Sequence, residues 1–296
     1  MNVVLPKPGI YIVAVSGGVD SVALLDILRQ QPYLKLIVAH LDHGIRLDSS
    51  EDRELVQDRA AGLGLPFVYN EANLGSSSSE AVARQARYKF LRQAQKDYKA
   101  QAIITAHHQD DVLETAIINL LRGSGRKGLT SLSSRPDIIR PLLNVTKQDL
   151  INYAKNQRLR WRDDPTNKDE TYLRNYVRHQ LLARFSDLDK VKLVTIVTSL
   201  TGVNQDIDRL LADQLNIHLA DGCLDRQWFN SLPHNVAREV MATWLRANDM
   251  RDFDSRALER LVVVAKTAQP GKQIEAIHGV KMIVKNDNLA LARPER

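Results

Sequence analysis

Gly9 to Val15 (GIYIVAV) is an almost unbroken apolar run, the pattern of a strand covered on both faces as in a parallel sheet. A loop with two glycines follows, and Val22 to Leu28 (VALLDIL) then takes up helical spacing. The alternation recurs. Lys35 to His40 predicts a second buried strand, Ser49 to Gly64 a helix with Leu55, Val56 and Leu63 inward, and Pro66 to Tyr69 a third short strand. The polar run Ser76 to Ser79 reads as a loop or helix entry before a long helix over Glu80 to Ala100. Ala102 to Thr105 predicts a fourth strand, Asp110 to Arg122 a helix with a strong apolar face, and Ile138 to Arg140 a fifth strand. Thr146 and Asp149, three apart, form a capping pair that opens another helix.

Strands alternating with helices imply an α/β fold with a doubly wound, mostly parallel sheet. Ligands of such sheets sit at the carboxyl ends of the strands. The polar clusters of this chain fall there, after Val15, after His40 and after Thr105. The character changes near Asp187. Leu188 to Leu219 and Gln227 to Arg246 read as helical, and Gln273 to Ala292 as small antiparallel strands turning at His278-Gly279 and Asn286-Asp287-Asn288. The expected division is a catalytic domain over 1–188 and a smaller, mainly helical domain with a few short strands over 189–296.

The length of 296 residues suits two domains, and 44% apolar residues can build a sizeable core. The net charge of +6 favours a polyanionic partner, nucleic acid above all. Cys223 is the single cysteine, which excludes an internal disulfide, a cysteine metal cluster and a two-thiol mechanism, and suits a reducing cytoplasm. Met1 to Pro8 carries no signal-peptide pattern, and no stretch approaches a membrane span, so no membrane partner is expected.

Ser16-Gly17-Gly18-Val19-Asp20-Ser21 runs from the first strand into a helix. Two glycines let the backbone approach an anion, and the helix start offers free N–H groups to phosphate. Ser16 and Ser21 add hydroxyls, and Asp20 beside phosphates calls for an intervening Mg²⁺. Gly123 to Gly128 matches GxGxxG, but it follows a helix and carries Arg126 and Lys127, so a nicotinamide site is rejected. No GxxxxGK[ST] occurs.

In Ala106 to Thr115 (AHHQDDVLET), Asp111 and Glu114 share a helix face with His107 and His108 a turn earlier. Three readings compete for this segment: a metal site, a pocket for a cationic substrate, and a helix cap with solvated acids. From Arg122 to Arg162 ten Lys and Arg face only Asp137 and Asp149, which suggests a polyanion surface, with Tyr153 and Trp161 able to stack on bases or to lie in the core. Asp163-Asp164-Pro165-Thr166-Asn167 reads as a rigid corner, followed by Tyr172-Leu173-Arg174-Asn175 and Arg178-His179.

Taken together, these segments resemble the tRNA(Ile)-lysidine synthase family of the PP-loop ATP pyrophosphatases. SGGVDS, AHLDHGIR (39–46), ARQARYKFL (83–91), TAHHQDDVLET (105–115), LRGSGRKGL (121–129), IIRPLL (138–143), DDPTN and YLRNYVR stand in the family's order across roughly residues 9–185. The later region is similar to the family's first C-terminal domain, as in the short form without a second one. The resemblance implies joining lysine to C2 of the wobble cytidine in the CAU anticodon of tRNA(Ile), through an adenylated cytidine, with ATP split to AMP and pyrophosphate. It implies that Ser16, Gly17, Gly18, Val19 and Ser21 hold phosphate and that Asp20 holds Mg²⁺. Asp111 and Glu114 would receive lysine or take its proton, with His108 nearby. Arg84, Arg87, Arg122, Arg126, Lys127, Arg174, Asn175 and Arg178 would face ATP or RNA, and a homodimer is an allowed assembly. A tRNA thiolase is disfavoured by the lone Cys223, and an ammonia-using ligase leaves the basic tract unexplained. A non-enzymatic RNA binder has no need of Asp20 or the His/Asp/Glu cluster.

Overall fold

The computed structural model describes residues 1–44, 49–72, 74–75, 80–162, 173–250 and 253–293. Arg46, the polar run 76–79, the corner at 163–167 and Tyr172 lie outside the described residues. The described chain groups into two compact units, 1–201 and 202–296. The division falls within one long helix, α8 (Asp187–Ile217), whereas the 1–188 and 189–296 division expected from sequence sits at that helix's start.

The first unit is built on five parallel strands: β1 (Gly9–Ala14), β2 (Leu34–Asp42), β3 (Phe67–Glu71), β4 (Ala102–Ile104) and β5 (Ile138–Ile139). Their order is β3-β2-β1-β4-β5. Strand β1 is covered on both faces, because side chains alternate across a strand. Tyr11, Val13 and Val15 join a core with Leu24, Leu25 and Leu28 of α1 (Val19–Arg29), Val56 and Ala60 of α2 (Ser49–Gly62) and Leu150 of α6 (Lys147–Asn156). Ile12 and Ala14 face the other way, onto Leu91 and Ala94 of α3 (Glu80–Asp97). This two-sided burial is why β1 reads as continuous apolar sequence. The chain leaves β1 toward β2 on one side and returns to β4 on the other, so the order reverses between β1 and β4. Such a reversal opens a crevice at the carboxyl ends of those two strands.

Helix α4 (Gln109–Leu121) packs Leu113 and Ile118 against Val177, Leu182 and Val194. It ends at Gly123, whose φ of +69° suits the left-handed position past a helix. The short helices α5 (Arg126–Leu129) and α7 (Leu173–Tyr176) follow, the second running into a π-helical turn over Val177–Leu181.

The second unit has a five-stranded antiparallel sheet in the order β6-β7-β10-β9-β8, with β6 (Leu219–Ala220), β7 (Cys223–Asp225), β8 (Gln273–Ile277), β9 (Val280–Val284) and β10 (Asn288–Ala292). Its core gathers Phe229 of α9 (Arg226–Ser231), Met241 and Trp244 of α10 (His234–Ala247), Leu261 and Val262 of α11 (Ser255–Thr267), and Met282 and Leu289 of the sheet. The helical stretch expected over Gln227 to Arg246 is two helices. Leu232 is extended, and Pro233 has no N–H with which to continue a helix ladder. No helix among the described residues is long and apolar enough to cross a membrane.

Candidate active site

The 16–21 loop lies at the crevice end of β1. Val15 still donates to Ala39 O at 2.9 Å, so β1 is anchored to the last residue before the loop. The loop then closes on itself. Ser16 N donates to Ser21 Oγ at 3.1 Å, and Ser21 Oγ donates to Gly18 O at 2.9 Å. Gly17 has φ +94°, a conformation that L side chains rarely adopt. Gly18 caps α1 without any side-chain hydrogen bond, which leaves the first-turn amides of α1 to an incoming anion. Ser16 is exposed and Ser21 is buried, so the first hydroxyl faces solvent and the second holds the turn.

Asp20 stands in the first turn of α1, and Lys147 Nζ bridges both its oxygens at 2.7 and 2.8 Å. Lys147 is the first residue of α6, which Thr146 caps by accepting from Asp149 N. The buried Asp26 of α1 ties these two helices further, accepting from Tyr153 Oη of α6 at 2.8 Å. The sequence pattern does not single out Lys147. The available signal is its place at a capped helix start just beyond β5, on the same sheet edge as the loop.

The 107–114 cluster follows β4. His108 caps α4, its Nδ1 accepting from Asp110 N at 3.3 Å while its own amide donates to Asp111 Oδ2 at 2.9 Å. The cap is therefore real, and Asp111 rather than Asp110 completes it. The free edge of the His108 ring meets two carboxylates, Asp111 Oδ2 at 3.5 Å and Asp20 Oδ2 at 3.7 Å. That ring joins the loop after β1 to the loop after β4. Burial works against the Asp111 carboxylate, but the His108 and His107 rings and the His108 amide more than offset it, so its pKa lies below the ordinary value. His107 accepts or donates at Thr105 Oγ1, 2.8 Å away, and burial pushes its pKa down to about 3.

Glu114 lies on the same helix face but points elsewhere. It is fully buried, and Arg178 grips it at 2.6 and 3.0 Å while Arg174 Nε lies 3.2 Å from Oε2. Burial raises the Glu114 pKa by more than the Arg178 hydrogen bond lowers it. Arg178 also comes within 3.8 Å of Asp111. The π-helical turn presents Arg178 here, a device common at functional sites. Asn175 is buried between these two arginines in sequence.

Of the other expected residues, Arg87 on α3 comes close enough to act electrostatically on His40, His43 and His107 and to feel the Asp111 carboxylate. Arg84 also acts electrostatically on His107, and its guanidinium lies over the Tyr88 ring, 5.3 Å from its centroid. Arg122, Arg126 and Lys127 fall at the far end of α4 and in α5. A helix of that length holds them about 20 Å from the His108 cap. The basic tract is less uniform than its composition suggests. Arg140 is buried and donates to Ser133 O, Lys147 holds Asp20, and Arg162 braces the phosphate loop. Arg162 N donates to Gly17 O at 3.1 Å, and its guanidinium pairs with Asp52 at 3.0 Å and with Glu51. Among the described residues, no group of three or more His, Cys, Asp or Glu is clustered to hold a metal ion by itself.

A sequence model of the PP-loop domain matches residues 5–185. The tRNA(Ile)-lysidine synthase of Solibacter usitatus is 33% identical over 268 residues, covering 86% of this chain and 60% of that protein. The tRNA(Ile)-lysidine synthase of Nitrosomonas europaea is 31% identical over 282 residues, covering 90% of this chain and 61% of that protein. The chain thus spans about 60% of the length of these curated relatives. Among solved structures, the U34-tRNA thiolase NcsA from Methanococcus maripaludis superposes with a TM-score of 0.50 at 16% identity, over 66% of this chain and 73% of that one. At that identity the likeness speaks for the fold alone.

Proposed function

The chain belongs to the PP-loop family, and from that premise we propose that it is an ATP-splitting ligase that makes lysidine in tRNA(Ile). The observation that carries this reading is the convergence on His108: the phosphate-type loop through Asp20 and the α4 start through Asp111 meet at one imidazole in the crevice between β1 and β4. An ATP-dependent activation needs a phosphate grip and an acceptor site for the second substrate side by side, and this crevice offers both. The names of the matched relatives supply the substrate class.

In this reading the O2 oxygen of the wobble cytidine attacks the α-phosphorus of ATP, and pyrophosphate leaves. The lysine amine then attacks C2 and loses a proton, and the C2–O bond breaks to release AMP. Gly17, Gly18, Val19 and Ser21 hold phosphate through backbone amides at the start of α1, and Ser16 through its exposed hydroxyl. Asp111 keeps 15% side-chain exposure and Glu114 keeps none. Asp111 is therefore the carboxylate that meets the amine, and Glu114 holds Arg174 and Arg178 in position. Arg122, Arg126 and Lys127 contact RNA away from the reacting base.

Mg²⁺ fits the donor set. It binds through one or two carboxylates together with substrate phosphates and water, rather than in a cage of protein ligands. Asp20, beside the loop, would hold it. When bound, it offsets charge on the leaving pyrophosphate. The RNA partner is the CAU-anticodon tRNA(Ile), the second substrate is free lysine, and the setting is the cytoplasm.

The test is incubation with ATP, radiolabelled lysine and a CAU-anticodon tRNA(Ile) transcript. Label in the RNA is the expected result. Label that enters only with a sulfur or ammonia donor overturns the reading.

A further inference from the structure

A Walker-type phosphate loop carries its own lysine, and this loop does not. The polar side chains of residues 16–21 are two hydroxyls, of which Ser16 is exposed and Ser21 holds the turn, and the Asp20 carboxylate. A polyanion approaching them meets negative charge. The nearest compensating charge comes from the far side of the first unit's sequence, at the N-terminus of α6. Lys147 Nζ sits 2.7 and 2.8 Å from the two Asp20 oxygens, with 38% of its side chain exposed.

We propose that Lys147 is the cation that grips the pyrophosphate portion of the nucleotide, with Asp20 aiming it over the 16–21 loop. The proposal rests on the ATP-splitting reading and adds to it a residue that the sequence motifs leave out. An ammonium carries three donors. Two are directed at Asp20, and the third is left for a phosphate oxygen. Its position is rigid at the root, because Thr146 caps α6 and Tyr153 ties α6 to Asp26 of α1. Asp20 and Lys147 thus stand in the first turns of two helices joined by a partly buried hydrogen bond, with only the flexible lysine stem between anchor and ligand. A purely structural bridge is the alternative. A partly exposed lysine–carboxylate pair contributes little to stability, however, and α1 and α6 are already joined by Tyr153 and by the core around Leu24, Leu28 and Leu150.

The experiment measures binding of pyrophosphate and of ATP by titration calorimetry, in EDTA and in Mg²⁺, alongside thermal melts. The proteins are wild type, Lys147→Ala, Lys147→Gln, Lys147→Arg, Asp20→Asn, and Asp20→Asn with Lys147→Ala. Losing one charge-assisted hydrogen bond to phosphate weakens binding about 10- to 100-fold, so Lys147→Ala and Lys147→Gln should fall by that much and Lys147→Arg by less. In EDTA, Asp20→Asn should bind pyrophosphate more tightly than wild type, since it removes a like charge and frees all three donors. The double variant should lose that gain. If Lys147→Ala and Lys147→Gln bind pyrophosphate within about twofold of wild type, or the double variant keeps the whole gain of Asp20→Asn, Lys147 is only a staple. Should Lys147→Ala fail to fold, Lys147→Gln and Lys147→Arg decide on the same measure. A wild type that binds neither pyrophosphate nor ATP overturns the ATP-splitting reading itself. Wild-type binding that Lys147 variants leave intact overturns this proposal alone.

Discussion

Arg178 holds Glu114 through two parallel bonds, Nε to Oε1 at 2.6 Å and Nη2 to Oε2 at 3.0 Å, on a carboxylate with no solvent exposure. Arg174 adds a third contact at 3.2 Å. Burial raises the Glu114 pKa despite these partners, so the cluster's contribution is positional rather than a large gain in stability. Removing one partner is different, because it strands the others. Glu114→Gln should lower stability by about 3 kcal/mol, seen as a lower unfolding midpoint in urea. The double change Glu114→Gln with Arg178→Gln should cost less than the sum of the single changes. Additive losses contradict the coupling drawn from this geometry.

Stability should also fall on mild acidification. Burial lowers the pKa of His107 to about 3, and it lowers His40 and His43 as well. These rings are neutral when folded and take up a proton near the ordinary 6.5 when unfolded. Between those values the unfolded chain binds more protons. The stability His107 supplies is therefore complete above pH 6.5 and is lost as pH falls from there toward 3, and the contributions of His40 and His43 fall in the same direction. Each ring can contribute up to about 1.4 kcal/mol per pH unit. Urea unfolding at a series of pH values from neutral downward should show a declining midpoint, and His107→Gln should make the decline shallower. A level midpoint in wild type contradicts the buried, neutral state of these rings.

Much of this architecture is legible in the amino-acid sequence. Strand β1 was plain because burial on both faces removes polar residues, and the helix after it was plain from its spacing. The Asp221-Gly222 hairpin that joins β6 to β7 was equally written in the chain. Both residues have positive φ, 51° and 75°, as a two-residue turn of that type requires. The strands beside it are too short to show alternation, so pattern alone leaves residues 220–226 unassigned between two helical stretches. Within the site, the residue types of the 16–21 loop and the 107–114 segment point to their chemistry, but their partners do not follow from local pattern. Lys147 lies 127 residues from Asp20, and Arg178 lies 64 from Glu114. Such pairs are set by the order of strands in the sheet and by a π-helical turn, neither of which leaves a short-range signature. The same distance effect hides the inward turn of Arg162, whose partner Glu51 is 111 residues away, and composition counts it as positive surface.

The two loop glycines should respond oppositely to the same change. Gly17 has φ +94°, and a Cβ there would find its nearest neighbour, Asp52 Cβ, at 3.6 Å, so space is adequate and the conformation is the obstacle. Gly17→Ala should cost about 1–3 kcal/mol of stability. Gly18 has φ −72° and ψ 159°, open to any residue, and its added Cβ would lie 3.6 Å from Ser16 Oγ. Gly18→Ala should melt close to wild type yet bind ATP more weakly, because the methyl group stands where the phosphate approaches the α1 amides. Thermal melts and ATP titration on both variants check this. Equal melting losses at the two positions contradict it.

Among the described residues of the second unit, Arg226 is a buried cation on which its layers depend. Arg226, at the start of α9, donates Nε to Ala265 O at 3.0 Å, Nη2 to Ala268 O at 2.5 Å and Nη1 to Lys285 O at 3.1 Å. The first two carbonyls belong to the end of α11, where helical carbonyls lack intrahelical partners, and the third lies just past β9. One planar guanidinium therefore closes a helix terminus and a strand end together. A lysine cannot reproduce this, because its donors radiate from a single atom instead of spreading along a fork. Arg226→Lys should destabilise this unit by about 1–3 kcal/mol, and Arg226→Met by more, since three carbonyls, that of Ala265 buried, then lose their guanidinium donor. Hydrogen exchange is the direct measurement. Amides of α11 and β9 should lose protection in Arg226→Met, while those of β1 and β4 in the first unit keep theirs. Unchanged protection in α11 would mean that Ala265 and Ala268 do not depend on Arg226.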